Sequence, residues 1–313
     1  MELYKTRGFS DFFQDTFSFL KQNGKHFFKH YFIINGIFLL ILSILGYFFT
    51  KFYSDFLFSG ILQNKSTTVV DEYMNENLGL FIVMIFVVLI VGLTAGIVSY
   101  AFPAIYLKLY IEKVGTSFET QDIINTYKAN IGKLFVFVIY SIIIAIPILF
   151  VFVICGFILI ITIVGILMIP LLLGAFMLFY SMTLMEYLEN KKDIWECFGY
   201  SWTLLKSKFW AAVGSVGLFY LISYVIQNMV TIIPYLYGMA SLFTTVDQGS
   251  TSPEDVGVTM MIVMLIIFFI SFILGAILGS IVQLNQGIIF YSLKEQNENI
   301  NTKSIIDQIG SGE

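Results

Sequence analysis

The chain has 313 residues, of which 58% are hydrophobic and 12% are charged, and its formal net charge is −4. A soluble globular domain carries roughly 25% charged residues, so this composition excludes an ordinary soluble domain and indicates a membrane protein. The basic residues lie in short stretches beside long apolar runs. Membrane topology explains this pattern, which gives nucleic-acid binding no support.

Five apolar stretches predict where the chain crosses the membrane, since a spanning helix needs about 20 mostly apolar residues. The first two spans are Tyr31–Thr50 and Gly79–Phe102. Leu134–Met185 carries no charge and is long enough for two spans. Phe209–Val246 and Gly257–Leu293 provide the last two. The sequence therefore predicts an all-α, polytopic membrane protein with six transmembrane helices.

The basic residues predict the orientation. Fifteen of the 17 Lys and Arg residues lie in four basic stretches, 1–30, 108–133, 191–208 and 294–303. Cytoplasmic loops retain basic residues, and translocated loops are depleted of them. The basic stretches and both chain termini are therefore expected in the cytoplasm. No ionisable residue is expected at bilayer depth, which argues against a pump coupled to ions or protons.

Three copies of one unit are predicted at residues 9–113, 118–190 and 193–298, followed by a cytoplasmic tail at 299–313. Each copy consists of an interfacial helix and a hairpin of two spans. The segments 18–27, 126–135 and 201–210 align without gaps at five positions. These positions hold a hydroxyl (Ser18, Thr126, Ser201), an aromatic ring (Phe19, Tyr127, Trp202), a small residue (Gly24, Gly132, Ser207), a lysine (Lys25, Lys133, Lys208) and a second aromatic ring (Phe27, Phe135, Trp210).

The aligned aromatic and basic positions are candidates for contact with lipid headgroups. Aromatic rings with a polar edge favour this layer, and each lysine near an anionic surface contributes about 1 kcal/mol. The candidate lipid-binding and interface-binding residues are Lys25, Lys133, Lys208, Phe19, Tyr127, Trp202 and Trp210. The small residue is expected to permit a bend where the helix enters the membrane. Ordinary juxtamembrane anchoring is the alternative to a dedicated docking surface for lipid or protein.

Two GxxxG patterns predict close helix packing, since glycine lets helix backbones approach each other in lipid. They consist of Gly92 with Gly96 and of Gly275 with Gly279. Packing within the chain is the first interpretation, and an oligomer interface is the alternative.

Polar residues beside and within the apolar runs offer few reactive sites. Gln283 and Gln286 are expected to take an interfacial position or form an interhelical hydrogen bond, or else to contact a substrate. His26 and His30 share a helix face, but no third metal ligand accompanies them, so headgroup contact or solvation is expected. The sequence predicts no catalytic residue, no metal site and no cofactor.

The opening Phe12–Lys29 and the closing segments Phe290–Glu295 and Ile306–Gly310 resemble a group of bacterial six-span proteins common in the Bacteroidota. This group is similar in pattern to the membrane domain attached to some glycerophosphodiester phosphodiesterases. The resemblance implies the fold and a location in the bacterial cytoplasmic (inner) membrane. The phosphodiesterase chemistry belongs to a separate soluble barrel with acidic metal ligands. No segment of this sequence resembles that barrel, so no catalytic residue is implied.

The first functional hypothesis is a non-enzymatic, integral inner-membrane protein that is a scaffold or accessory subunit of an envelope complex and a candidate lipid binder. Its expected partners are the lipid bilayer and other membrane proteins. The alternative is a carrier or flippase for a lipid-like or apolar small molecule. The Gln283–Gln286 cluster motivates this alternative, as do Pro103, Pro147, Pro170 and Pro234, because kinks in or beside the spans can open a cavity between helices; plain helix packing is the first interpretation of these prolines. A membrane-embedded enzyme is least favoured because the sequence presents no acid–base pair.

Overall fold

The structure is a computed structural model that describes residues 1–57, 67–161, 163–247 and 253–301. The described part of the chain is helical and contains no strand. Its helices are α1 (Phe9–Leu57), α2 (Thr67–Glu112), α3 (Thr120–Ile160), α4 (Ile163–Leu188), α5 (Ile194–Ser207), α6 (Phe209–Asp247) and α7 (Pro253–Glu298). Most of the predicted cytoplasmic tail, residues 302–313, lies outside the described residues.

In the described chain, six helices are long and apolar enough to cross a membrane, and α5 is the exception. Each predicted span lies within one of these helices. The uncharged stretch Leu134–Met185 forms two of them, because α3 ends at Ile160 and α4 begins at Ile163. The prediction of an all-α, six-span membrane protein is therefore confirmed. Helices are the expected solution for such sequences because a helix satisfies its backbone hydrogen bonds internally, away from water.

The chain forms two compact units. Unit 1 contains Met1–Ile34, Ile97–Ile222 and the chain from Gly279 onward, and unit 2 contains Asn35–Gly96 and Ser223–Leu278. All four basic stretches belong to unit 1. Unit 1 combines one end each of α1, α2, α6 and α7 with all of α3, α4 and α5, so it cuts across the three predicted repeats. The repeats stay a prediction.

An aromatic cluster holds α1 against α2 in unit 1. Phe19, Phe27, Phe102 and Tyr106 have no exposed surface. The Phe27 ring lies edge-on to two of them, 5.2 Å from the Phe102 centroid and 5.0 Å from the Tyr106 centroid. Edge-to-face pairs contribute about 0.5–1.5 kcal/mol beyond the burial of the rings themselves. The cluster therefore fixes the first turns of α1 against the last turns of α2.

Gly174 of α4 and Gly217 of α6 mark a close backbone approach within unit 1. A Cβ at Gly174 would lie 3.0 Å from the Gly217 backbone nitrogen. A Cβ at Gly217 would lie 2.7 Å from Leu171 Cδ2. Contacts this short would force neighbouring atoms to shift, so glycine at both positions lets α4 and α6 pack as closely as they do.

The predicted GxxxG glycines do not provide this packing. A Cβ at Gly92, Gly96 or Gly279 would meet no atom of the described residues within 4 Å. A Cβ at Gly275 would meet the Gln227 side chain at 3.4 Å, which is a tight contact with a flexible group. At the first three positions the described residues show no close helix contact, so the predicted packing, within the chain or between copies, stays a prediction. The spacing alone does not reveal which helix face has a neighbour.

The predicted bend occurs in only one of the three aligned segments. α1 continues through Gly24 and α3 through Gly132, so that the interfacial segment and the span form one helix in each case. α5 ends at Ser207, and Lys208 has φ −139° and ψ 49°, outside the helical region, before α6 begins at Phe209. Only the third interfacial segment is a separate helix.

Candidate functional site

α5 is a short amphipathic helix whose start is fixed by a capping box. Asp193 Oδ1 accepts a hydrogen bond from the Glu196 N–H at 2.8 Å, and Glu196 Oε2 accepts one from the Asp193 N–H at 3.3 Å. Such reciprocal bonds satisfy N–H groups that the helix leaves unpaired. The buried face consists of Ile194, Cys197, Phe198, Ser201, Leu204 and Leu205. It packs on α4, where the Phe198 and Phe179 rings lie 5.7 Å apart.

The three tryptophans lie outside the buried face of α5. Trp195, Trp202 and Trp210 are 55%, 52% and 71% exposed. Exposed indoles beside membrane-spanning helices suit the headgroup layer, where the ring can be apolar at one end and hydrated at the other. The structure thus leaves the predicted interface residues Trp202 and Trp210 accessible, and their contact with lipid stays a prediction.

Phe19 and Tyr127 align with Trp202 in sequence but have different surroundings. Phe19 is fully buried, and its ring lies 5.1 Å from that of Tyr110. The Tyr127 hydroxyl donates a hydrogen bond to the Val98 carbonyl at 2.6 Å. The prediction of lipid contact is therefore wrong for Phe19, and the polar group of Tyr127 is used within the protein. Both side chains pack on α2, and burial depends on the opposing helix rather than on the aligned position.

The three aligned lysines also differ. Lys25 is exposed. Lys133 Nζ donates a hydrogen bond to the Tyr187 carbonyl at 2.7 Å and lies 4.4 Å from the centroid of that ring. Lys208 Nζ donates to the Arg7 carbonyl at 3.0 Å. Two of the three predicted lipid-binding lysines therefore direct their ammonium groups to protein carbonyls.

Two lysines cap the end of α4. Lys108 Nζ donates to the Leu188 carbonyl at 2.7 Å, next to the Tyr187 carbonyl that Lys133 binds. The last carbonyls of a helix have no partner within it, and a cation there also interacts favourably with the helix dipole. Lys133 therefore stabilises a helix end, a role that its position in the segment 126–135 does not reveal.

A buried ion-pair cluster lies beside the end of α4, and the sequence reasoning missed it. Glu186 lies between Lys294 at 2.6 Å and Lys192 at 2.7 Å, and Lys294 also pairs with Glu189 at 2.6 Å. The side chains of Glu186 and Lys294 are fully buried. The sequence correctly placed these charges at helix ends but not inside the protein. Two glutamates three residues apart at the end of a span are the signal that could have indicated a shared basic partner.

Two tyrosines border this ion-pair cluster. Tyr200 Oη donates to Glu298 Oε1 at 2.5 Å, and Tyr4 Oη donates to Glu189 Oε1 at 3.5 Å. Burial and the nearby carboxylates raise the pKa of both phenols above its usual value, so both remain donors at neutral pH. Lys192 Nζ lies 3.3 Å from the centroid of the Tyr200 ring, a cation–π contact. The charges compensate one another, which indicates a structural role.

His26 and His30 form a hydrogen-bonded chain. His26 Nδ1 lies 2.8 Å from Tyr106 Oη, His30 Nδ1 lies 2.7 Å from Thr120 Oγ1, and the two Nε2 atoms are 3.1 Å apart. Neutral tautomers satisfy the chain if Tyr106 donates to His26 and His30 donates to Thr120, while the His26 Nε2–H is shared between His30 Nε2 and the Phe118 carbonyl, each at 3.1 Å. His30 is buried, so the expected headgroup contact or solvation is corrected for it. Within the described residues no group of three His, Cys, Asp or Glu side chains could hold a metal.

Gln283 and Gln286, the candidate substrate contacts, lie on α7 in unit 1. Gln286 is 1% exposed, and neither of its amide atoms has a hydrogen-bond partner in the described part of the chain. The same is true of Gln283 Oε1. The Tyr220 phenol is near enough to Gln286 to interact with it, but without hydrogen-bond geometry. An unpartnered buried polar group costs about 1–3 kcal/mol, so these amides are not explained by packing alone.

An apolar groove lies between α3, α4 and the junction of α5 with α6. Its volume is about 510 Å³, and all of its lining residues are apolar. The α3 wall extends from Pro147 to Cys155, and the wall opposite contains Trp202, Leu205 and Phe209. Sites for small molecules and cofactors are commonly mostly apolar clefts of about 300–1,000 Å³. The groove therefore has the size and chemistry to hold part of an apolar molecule.

An exposed cation lies beside the groove. Lys206 Nζ is 5.4 Å from the centroid of the Trp202 ring, and Trp202 lines the groove. Lys206 is exposed, and the ion pairs of the described residues are formed by other basic side chains. The apolar groove thus ends beside an exposed indole and a positive charge that has no carboxylate partner there.

No family model, no curated protein and no solved structure matches the chain. The resemblance to bacterial six-span proteins therefore stays a prediction, and the function has to be argued from the chain itself.

Proposed function

We propose that the protein is a non-enzymatic, lipid-binding integral membrane protein that holds one acyl chain of an anionic phospholipid in the apolar groove. The observation that carries this proposal is the wholly apolar lining of the groove next to Trp202 and Lys206. Apart from Trp202 and Leu205 of α5, the walls belong to α3, α4 and α6, which are long and apolar enough to cross a membrane, so bilayer lipid is the apolar molecule most abundant around them.

The headgroup, rather than the acyl chain, would select the lipid. Lipid tails are as apolar as the groove, so the hydrophobic effect does not favour the groove over the bilayer. Packing against the groove walls retains the acyl chain of the lipid, and the ammonium of Lys206 attracts the phosphate of its headgroup. One basic residue near the surface contributes about 1 kcal/mol, which corresponds to about a fivefold preference for an anionic headgroup.

Quenching of Trp202 by brominated lipid tests this proposal. The variant W195F/W210F leaves Trp202 as the single tryptophan and is reconstituted into phosphatidylcholine nanodiscs with a few per cent of acyl-brominated lipid. Brominated phosphatidylglycerol is expected to quench Trp202 more strongly than brominated phosphatidylcholine at the same fraction. Lys206→Gln should remove this difference, and Ala175→Phe, which fills the groove from α4, should reduce quenching by both lipids.

Lys25→Gln is the matched control, because Lys25 is exposed and does not line the groove. It should leave the quenching difference unchanged. Equal quenching of Trp202 by the two brominated lipids in W195F/W210F without further substitution would contradict selection by the headgroup. Quenching that Ala175→Phe leaves unaltered would contradict occupancy of the groove itself.

We further infer a bacterial inner-membrane location with both termini in the cytoplasm. The four basic stretches support this orientation through the distribution of basic residues in membrane proteins. Cysteine labelling tests it, with Ser207 as the cytoplasmic position and Ser66 and Ser252 as external positions that lie outside the described residues. An impermeant maleimide should label the external pair in intact cells and should not label Ser207→Cys. The reverse result would invert the topology.

The scaffold or accessory-subunit role stays a prediction at the level of partners. Purification in native lipid followed by mass spectrometry of co-purifying proteins tests it. A chain that repeatedly purifies without other membrane proteins would count against a complex, while lipid binding in the groove could still hold.

The carrier or flippase alternative is favoured by one observation, the unpartnered amide of Gln286 inside unit 1. A lipid that crosses the bilayer needs polar groups along its path. Vesicles that contain the protein and a fluorescent phospholipid test the alternative, and movement between leaflets no faster than in protein-free vesicles would remove it for that lipid.

A further inference from the structure

Several buried polar atoms of unit 1 have no hydrogen-bond partner among the described residues. The buried hydroxyls of Tyr100 and Ser141 have no hydrogen-bond partner among the described residues, and neither do Gln283 Oε1 or the two amide atoms of Gln286. These are four of the six residues with such atoms in the described chain. Buried polar side chains are nearly always hydrogen-bonded, so these exceptions call for a reason.

Three of these four residues, together with Tyr180 and Tyr220, form the tyrosine cluster, which consists of Tyr100, Tyr180, Tyr220, Ser141 and Gln286. Tyr100, Ser141 and Tyr180 line a cavity of about 270 Å³ between α2, α3 and α4. Tyr100 lies near Tyr180 and Tyr220, and Tyr220 lies near Gln286 of α7. Three of the unpartnered residues, Tyr100, Ser141 and Gln286, therefore lie in one cluster rather than scattered through the unit.

The tyrosine cluster is weakly bonded within itself. Tyr180 Oη donates a long hydrogen bond of 3.4 Å to the Ser141 carbonyl and leaves the Ser141 hydroxyl unpartnered. Phenols, a serine hydroxyl and a primary amide can all donate hydrogen bonds, and all can accept them. The cluster thus presents several donors and acceptors but no hydrogen-bond network that uses them.

We propose that the tyrosine cluster binds an uncharged, membrane-soluble molecule that carries carbonyl or hydroxyl oxygens. No Asp, Glu, Lys or Arg lines the cavity in the described chain, so a charged headgroup would remain uncompensated there. The walls are aromatic: Phe137 stacks on Tyr100 with an interplanar angle of 14°, and Phe176 lies 4.8 Å from Tyr180. These aromatic walls suit a ligand that has a flat ring or an apolar chain next to its carbonyl or hydroxyl oxygen.

The ligand oxygen would have to reach just behind the apolar surface of the cavity. The Tyr100 and Ser141 hydroxyls have almost no exposed area, although both residues line the cavity. A molecule held by the walls alone would be bound without selectivity. A molecule whose oxygen reaches the hydroxyls would satisfy atoms that otherwise lack partners, which is the stronger source of discrimination in a buried site.

Two membrane molecules share the required chemistry, namely a quinone, with two ring carbonyls, and a diacylglycerol, with two esters and one hydroxyl. The detergent-solubilised full chain is titrated in separate calorimetric experiments with decylubiquinone and with dioctanoylglycerol. Dioctanoyl phosphatidic acid, which adds a charge to the same glyceride, serves as the control ligand. Binding of the first or the second probe identifies the source, and the charged control is expected to bind at least tenfold more weakly.

Tyr100→Phe and Gln286→Leu connect this binding to the unpartnered atoms. Each substitution removes polar atoms that have no partner in the ligand-free protein. Each should therefore raise the midpoint of thermal unfolding of the ligand-free protein. The same substitution should weaken binding of the probe about tenfold. Tyr235→Phe is the matched control, because Tyr235 is exposed on α6 and should change neither quantity.

A higher thermal midpoint together with weaker probe binding distinguishes a binding site from a purely structural one. If the hydroxyls served internal hydrogen bonds or held internal water, Tyr100→Phe would lower the thermal midpoint, and that result would overturn the proposal. Binding of neither probe, or equal affinity in the parent and Tyr100→Phe proteins, would overturn it as well. The cavity shares only Phe176 with the apolar groove, so failure of phospholipid binding in the groove leaves this test intact.

Discussion

The ammonium of Lys294 lies 2.6 Å from a carboxylate oxygen of Glu186, and both side chains are fully buried. Lys294→Met keeps the length of the side chain and removes the charge, which leaves Lys192 and Lys191 as the cationic partners of the two glutamates. Loss of one partner of a buried pair typically costs about 3–5 kcal/mol because the other charge stays buried. We expect a fall of this size in the free energy of unfolding, measured by titration of detergent-solubilised protein with sodium dodecyl sulfate.

Two further variants identify the cause of that loss. Lys25→Met removes an exposed lysine and should change the free energy of unfolding by less than about 0.5 kcal/mol. Adding Glu186→Gln to Lys294→Met removes the unpaired charge and should restore part of the stability. If Lys294→Met proved as mild as Lys25→Met, the ion-pair cluster would not contribute to stability.

The ion-pair cluster also explains how far the sequence could predict this structure. The six spans follow from runs of apolar residues that are local in the chain, and the structure contains them. The Lys294 pairing joins residues that are 108 positions apart, and the spacing of the two glutamates does not indicate which lysine they share. The charges were assigned correctly to helix ends, but their burial depends on which helix ends meet.

The aligned positions of the candidate site also show that burial depends on which helices meet. Phe19 and Trp202 occupy equivalent places in the segments 18–27 and 201–210, yet Phe19 is buried and Trp202 is half exposed. Phe19 faces Tyr106 and Tyr110 of α2, whereas Trp202 lies at the edge of the apolar groove. Residue type predicted an affinity for the interface, and the neighbouring helix decided whether the side chain could reach it.

Gly217→Ala should destabilise the protein, whereas Gly92→Ala should not. The added methyl at Gly217 would lie 2.7 Å from Leu171 Cδ2 and 3.2 Å from Leu171 Cα, so α4 and α6 would have to separate. Overpacking of this kind typically costs about 1–3 kcal/mol. A methyl at Gly92 meets no described atom and removes a flexible residue from a helix, which stabilises by about 0.5–1 kcal/mol.

The two substitutions are expected to change stability in opposite directions, so the comparison does not depend on the size of either change. Unfolding in mixed detergent micelles measures both. A loss of stability in Gly92→Ala would indicate a partner at the GxxxG face, such as a second copy of the chain. The oligomeric state of that variant, measured by light scattering, would then distinguish the oligomer-interface alternative from packing within the chain.

The histidine chain predicts a difference between two substitutions at Thr120. Thr120→Val keeps the shape of the side chain but removes the oxygen that lies 2.7 Å from His30 Nδ1. The buried ring nitrogen would lose its partner, at a cost of about 1–3 kcal/mol. Thr120→Ser retains the hydroxyl and should cost less than half as much. Equal effects of the two variants on the unfolding midpoint would show that the methyl group, rather than the hydrogen bond, matters at this position.

Cys197 should resist alkylation in the folded protein. Burial, together with the charge of Glu186, raises the pKa of its thiol to about 12. The thiolate is the reactive form, and at pH 8 only about one thiol in ten thousand is ionised at that pKa, against about a quarter at the ordinary value near 8.5. In the Cys155→Ser background, iodoacetamide should therefore modify Cys197 roughly a thousandfold faster after unfolding in dodecyl sulfate. Peptide mass spectrometry measures both rates.

The raised pKa of Cys197 also has a consequence for stability, with a definite sign. Below about pH 8.5 the thiol is protonated in both the folded and the unfolded chain, and the stability is fully present. Between about pH 8.5 and the folded-state value of about 12, the unfolded chain releases its proton while the folded chain keeps it, so the fold loses stability as the pH rises. Cys197→Ala removes this titration, and its unfolding midpoint should fall less between pH 8 and pH 10 than that of the parent. Parallel pH profiles for the two proteins would show that the thiol is not buried as described.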